Sequence, residues 1–183
     1  MSDSVQNEFT SVNSSASENT AVSENSSAAF ELWAWLLPIS PTQRVAVGRY
    51  ELKYIEHVNA VVSLPGLPAF CEQGFVWRNR FIPALDLWCL FTRRRLPNQN
   101  SEYLAAIVAY ENAQGELVMG AVLLAGVPKL VAVAPAQSVA IAELHEEWQP
   151  FAEAAFKHEN TTYPVLNLRC LFDKTPTNLL SLH

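Results

Sequence analysis

The first dense apolar run of the chain, Phe30-Glu31-Leu32-Trp33-Ala34-Trp35-Leu36-Leu37, is closed by Pro38 and the turn-forming Ser40-Pro41-Thr42. It predicts a buried strand where order begins. Trp33 and Trp35 alternate within it, so both face one side, toward a core or an interface between lobes. Arg44-Val45-Ala46-Val47 reads as a second strand by its β-branched content, whereas Glu51 to Val58 suits a helical turn or a strand equally. Pro65-Gly66-Leu67-Pro68 excludes regular structure. Phe75-Val76-Trp77 and Phe81-Ile82-Pro83-Ala84-Leu85 read as strands joined by Arg78-Asn79-Arg80, with Asn79 as the pivot because Asn tolerates left-handed backbone. Asp86 then N-caps a helical turn running to Phe91.

Past the polar linker Pro97 to Glu102, Tyr103 to Tyr110 and Glu116 to Leu124 form strands around the hairpin connection Asn112-Ala113-Gln114-Gly115. Lys129 to Ala134 is a further strand. Ile141 to Ala155 has helical composition with Glu143, Glu146 and Glu147 exposed, and Pro150 must break or bend any helix there.

The chain also repeats itself. Ile82-Pro83-Ala84-Leu85-Asp86-Leu87-Trp88-Cys89-Leu90-Phe91 recurs 81 residues later as Tyr163-Pro164-Val165-Leu166-Asn167-Leu168-Arg169-Cys170-Leu171-Phe172, with six of ten positions identical. A hairpin precedes each copy, so the unit is strand, turn, strand, short helix. Asp86 and Asn167 cap the helical turns, and each unit builds one small barrel. Trp88 stands where the second copy has the polar Arg169, which marks it as exposed and open to a partner.

Composition adds a boundary and charge an asymmetry. Met1 to Ala29 holds nine Ser and four Asn with hardly any large apolar residue, the composition of a disordered acidic tail. Phe30 to Asn100 carries eight bases against five acids, and Ser101 to His183 four against nine, within a formal net charge of −6. Such a chain repels polyanions, which argues against nucleic acid. The basic first part and acidic second part suggest weak head-to-tail self-association or docking on a charge-complementary partner. The cluster Arg93-Arg94-Arg95 reads as a solvated turn. No signal segment or membrane-length apolar run occurs, giving a cytoplasmic expectation without membrane insertion.

Catalytic chemistry finds no foothold in the sequence. Cys71, Cys89 and Cys170 form no CxxC pair and read as buried free thiols, and His57, His145, His158 and His183 lack metal-ligand spacing. Glycine-rich phosphate loops and a GxSxG elbow are missing, so no catalytic residue, metal or cofactor is expected.

Pro68-Ala69-Phe70 followed by Phe75-Val76-Trp77-Arg78-Asn79-Arg80-Phe81-Ile82-Pro83-Ala84-Leu85-Asp86-Leu87 resembles the signature of CheW-like domains, and the resemblance extends from about Phe30 to Phe172. It implies a mainly β chain of two SH3-like five-stranded barrel lobes, the first over about 30–97 and the second over about 98–175, with a tail at 176–183. It implies a non-catalytic adaptor, bound to the regulatory domain of a CheA-type histidine kinase by barrel edges and to chemoreceptor cytoplasmic tips by a groove between lobes. Arg78 falls at the family's binding turn and Leu52 at a receptor-facing aliphatic position. Asn79 replaces the usual turn Gly, and Gln73-Gly74 shifts another expected Gly by one. Such departures fit an accessory member recruited to membrane-associated arrays, in a cluster controlling type IV pili and twitching. The alternative is a generic SH3-like barrel module that binds a small ligand or another protein outside chemosensing.

Overall fold

A computed structural model describes residues 32–96 and 102–173; the tail assigned to 1–29, most of the linker and the tail at 176–183 lie outside the described residues. The chain is mainly β, with twelve strands among the described residues, arranged in two curled six-stranded sheets. They are β1 (Leu32–Pro38), β2 (Arg44–Gly48), β3 (Leu52–Val58), β4 (Val62–Ser63), β5 (Gln73–Trp77), β6 (Arg80–Leu85), β7 (Tyr103–Glu111), β8 (Leu117–Leu124), β9 (Lys129–Val133), β10 (Ser138–Val139), β11 (Ala152–His158) and β12 (Thr161–Leu166). Two short helices, α1 (Leu87–Thr92) and α2 (Leu168–Asp173), follow β6 and β12. Each sheet has one more strand than the five expected, because the two-residue β4 and β10 extend its edge.

One sheet runs β10-β11-β12-β2-β1-β9 and the other β4-β5-β6-β8-β7-β3, the same order with each strand replaced by its counterpart in the other repeat. The parallel pairs also match: Val165 lies beside Ala46, and Ala84 beside Ala121. The repeats have therefore traded their first hairpins. The hairpin β1–β2 completes the sheet of β9 to β12, and β7–β8 completes that of β3 to β6. This corrects the expectation of consecutive lobes at 30–97 and 98–175, since neither sheet is built from one continuous half. Local pairing rules place a hairpin but cannot say which sheet it enters.

The exchange also redistributes charge. Over 49–96 and 102–124, the folded first lobe carries seven Lys and Arg against seven Asp and Glu, and is neutral. Over 32–48 and 125–173, the second carries four against six, a net of −2. The basic-versus-acidic contrast along the chain thus does not become two oppositely charged lobes, and lobe charge does not support head-to-tail association.

The exchanged hairpins are buried on both faces. Leu37, Val45 and Val47 from one, with Ala106, Val108, Val122 and Leu124 from the other, join Leu87, Leu168, Leu171 and Phe172 in a core shared by the lobes. Their opposite faces line the inside of each curl: Ala34, Leu36 and Ala46 with Phe156 and Tyr163, and Ala105, Ile107, Ala121 and Leu123 with Phe75 and Ile82. Double burial is why these strands read as near-continuous apolar runs. Trp33 and Trp35 do share a face, but both are half-buried, and Trp35 packs on the shared core while Ala34 and Leu36 fill the curl.

Glu51 to Val58 resolves as the edge strand β3. Ile141 to Ala155 is not a helix: it holds two single 3-10 turns, Ile141–Glu143 and Gln149–Phe151, and then enters β11. Pro150 lacks the N–H a helix would need, and the irregular path lets Leu144 and Trp148 reach the shared core, where Trp148 meets Phe91 at 4.0 Å between ring centroids. The expected glutamates are exposed.

Glu51 sits at the crossover between sheets. Its side chain accepts the Gly48 N–H at 2.5 Å, and its carbonyl accepts the Ala109 N–H at 2.9 Å. Burial raises its pKa above the ordinary 4.5; the Gly48 N–H opposes this and the negative charge of Glu153 adds to it. The folded chain thus holds a proton here more tightly than the unfolded chain, a contribution that favours folding in acid and is lost as pH rises from about 4.5 through the raised value. Glu51→Gln, which keeps an acceptor for Gly48, should have a higher urea midpoint than the parent at pH 7, with the difference closing toward pH 4.5. A difference that stays constant with pH would contradict the assignment.

Candidate binding site at a hairpin tip

The turn between β5 and β6 is tight because both central residues adopt left-handed backbone, Arg78 at φ 47° and Asn79 at φ 63°. That geometry matches the strand twist of a two-residue hairpin. Both residues are exposed, as expected. β3 curls toward this turn, bringing Tyr54 to 4.7 Å from Trp77 between ring centroids. The Arg78 guanidinium lies over both rings, 4.5 Å from the Tyr54 centroid and 4.4 Å from that of Trp77, and donates to the Tyr54 hydroxyl at 3.3 Å. Trp77 Nε1 in turn donates to Glu56 Oε1 at 2.9 Å.

The stack holds an exposed arginine in one orientation. A flexible Arg loses about 1 kcal/mol or more of rotamer entropy when a partner immobilises it, and two aromatic faces remove part of that loss beforehand. Arg80 adds a second exposed cation after the turn. The arrangement suits an acceptor-bearing protein surface: it has charge, direction and apolar rings.

The other expected site residues are not gathered here. Leu52 begins β3 opposite Val108, is half-buried and packs against the shared core. Trp88 is not the exposed residue its pairing with Arg169 suggests: it is half-buried on α1 and packs on the core of the first lobe's curl. Tyr54, Glu56 and Trp77 escaped the sequence reading as site residues. The contact of Arg78 with Tyr54 spans 24 positions, and no local pattern announces it.

The second lobe repeats the tip with altered chemistry. Glu159 at φ 48° and Asn160 at φ 63° form the same turn, and Glu159 lies 3.8 Å from Lys129, the register counterpart of Tyr54. An exposed ion pair thus replaces the cation–aromatic stack. Salt screens such a pair, and it contributes about 0–1 kcal/mol.

The helix caps form as expected. Cys89 N–H donates to Asp86 Oδ1 at 2.8 Å and Cys170 N–H to Asn167 Oδ1 at 2.7 Å. The arginine run divides: Arg93 caps α1 in left-handed backbone, and Arg95 pairs with Glu72. Cys71 and Cys89 are buried free thiols, while Cys170 is only half-buried. Burial, with Glu72 and Cys89 adding to it, pushes the Cys71 thiol up to about 11, which makes it a poor nucleophile.

No family model matches the chain, and no curated protein is similar to it in sequence. In structure it is similar to the scaffolding protein TtCheW from Thermoanaerobacter tengcongensis, with a TM-score of 0.63 over 78% of this chain and 93% of that one, at 14% identity. The chain has a CheW-like fold. In this CheW-like frame the stacked arginine sits at the tip of the first lobe, at the end of the hairpin formed by β5 and β6.

Proposed function

We propose that this CheW-like chain is a non-catalytic cytoplasmic adaptor that couples chemoreceptors to a CheA-type histidine kinase. The observation that carries the reading is Arg78, held over Tyr54 and Trp77 at an exposed tip on a fold similar to that of a CheW scaffold. Arg78 and Asn79 would meet the regulatory domain of the kinase. Leu52, where β3 borders the core shared by the lobes, would lie toward the chemoreceptor tip, with Trp88 supporting the first lobe from within. The unusual turn residue and shifted glycine suit an accessory member, serving a cluster that controls type IV pili and twitching.

Calorimetric titration against the regulatory domain of the organism's own CheA-type kinase tests this directly. Micromolar or tighter binding is expected, weakened by about tenfold or more, ~1.4 kcal/mol, in Arg78→Glu. The variant should keep the parent's melting temperature, because Arg78 is exposed. Absence of binding by the unaltered chain would overturn the adaptor reading in favour of a barrel module outside chemosensing.

A further inference from the structure

Strands β2 and β12 meet as a parallel pair at Val165 and Ala46, and their pairing does not continue to Arg44 and Tyr163. The irregular loop that carries Leu144 and Trp148 passes beside this gap, leaving a cleft of about 280 Å³. All the residues that line it are described, and each stands at least ten positions along the chain from one that is not. By register, Arg44, Gln43 and Thr162 are the counterparts of Met119, Val118 and Phe81 in the other lobe. Trp148, three residues before Phe151, stands where the first repeat has Leu67, three before Phe70. The first lobe is thus apolar at four positions where the second puts a cation and hydrogen-bond donors.

These donors are held in place and have nothing to donate to. Trp148 is 9% exposed, and its ring is fixed against Phe91. Its Nε1–H finds no acceptor among the described residues, yet the atom keeps contact with solvent, since no sealed polar side-chain atom there lacks a partner. A nearly buried donor of this kind gains from an acceptor brought to it. The Arg44 side chain is exposed and makes no ion pair or hydrogen bond among the described residues. Both walls are braced. The Ser40 hydroxyl, in a residue 1% exposed, accepts the Gln43 N–H at 2.9 Å beside Arg44. Across the cleft, Gln149 Nε2 donates to the Leu144 carbonyl at 3.0 Å.

The charges select the ligand. Arg44 shares the lining with Glu143, whose carboxylate accepts the Ala140 N–H at 3.3 Å, and with His145, 3.5 Å from Glu147. A phosphate dianion would meet these carboxylates with one arginine to offset them, whereas a single planar negative charge matches the guanidinium fork. Leu144, Tyr163 and Pro164 are buried and add an apolar wall. The volume lies at the small end of ligand pockets, which run from roughly 300 to 1,000 Å³. We propose that the cleft binds a small organic carboxylate, with Arg44 and the Trp148 N–H taking the carboxylate and the apolar body lying against Leu144 and Pro164. The inference does not depend on the adaptor reading.

Titration of isotope-labelled full-length protein with benzoate tests this by magnetic resonance. The Trp148 indole resonance should move and saturate with a Kd of about 1 mM or tighter, while that of Trp77, which already donates to Glu56, stays in place. Arg44→Gln should weaken the binding about tenfold or more and keep the parent's melting temperature, because the side chain it alters is exposed and unpaired. Inorganic phosphate should not saturate the site. A shift that never saturates, that survives Arg44→Gln unchanged, or that is matched at Trp77 would overturn the proposal. So would phosphate binding as tightly as benzoate, which would make this a general anion site. Tighter binding of the tripeptide Gly-Gly-Phe than of benzoate would also overturn it, in favour of a protein chain end as the occupant.

Discussion

Cut between residues 99 and 100, neither half of this chain is expected to fold alone, and the two halves mixed in equal amounts are expected to recover the native β-sheet signal. The first half carries β1 to β6 and the second β7 to β12, but each sheet takes two strands from one half and four from the other. Alone, the first half leaves β6 without β8 and β3 without β7, while β1 lacks β9 and β2 lacks β12. The shared core loses one of its two walls, since Ala106, Val108, Val122 and Leu124 come from the second half and Leu37, Val45 and Val47 from the first. Burying a Val- or Leu-sized side chain contributes about 1.5–3 kcal/mol, so losing one wall outweighs the roughly 5–15 kcal/mol by which domains are stable. Circular dichroism and limited proteolysis of each half and of the mixture would test this. Cooperative thermal unfolding by either half alone would mean that the exchanged hairpins are dispensable.

Gly120→Ala should cost about 3 kcal/mol, near the upper end of what overpacking a core commonly does. Gly120 lies in β8, and a methyl group there would run into Cε1 and Cζ of Phe172. That ring has little room to yield. It is 1% exposed and stacked on Tyr110, with centroids 4.9 Å apart and planes 10° from parallel. Gly126→Ala is the control, because its methyl would meet Pro38 only at an ordinary 3.7 Å and should leave stability within about 0.5 kcal/mol of the parent. Adding Phe172→Leu to Gly120→Ala should make the double variant more stable than the two separate costs predict, since the smaller side chain relieves the clash. Urea midpoints of the parent, the three single variants and the double variant measure these costs. A cost below about 1 kcal/mol for Gly120→Ala would show that the Phe172 ring can move aside.

Both expectations rest on features that the sequence discloses unequally. The strands around Arg78-Asn79, the cap at Asp86 and the 81-residue repeat depend on local rules: left-handed backbone at a tight turn, a carboxylate over the first helical N–H groups, and identity between copies. Such features need only neighbours within a few positions, so they could be read directly. The prominence of Arg78 came from resemblance, but its support by Tyr54, Trp77 and Glu56 depends on how far a sheet curls. No periodicity encodes that curl.

Three stretches needed the tertiary structure to resolve them. Glu51 to Val58 was ambiguous because an edge strand with one face toward solvent lacks the apolar weight of a central one. Ile141 to Ala155 has helix-forming residues, but Pro150 and the demand for Leu144 and Trp148 in the shared core outweigh propensity. Trp88 looked available because Arg169 is its repeat counterpart, and it is instead packed inside the first lobe. By itself, the sequence determined the β class, the two-fold repetition, the hairpin tips and the helix caps, because each follows from backbone chemistry acting over short range. Only the tertiary structure decided which hairpin completes which sheet, how charge divides between lobes and what stands around Arg78, because these depend on non-local pairing by strands whose two apolar faces fit either neighbour.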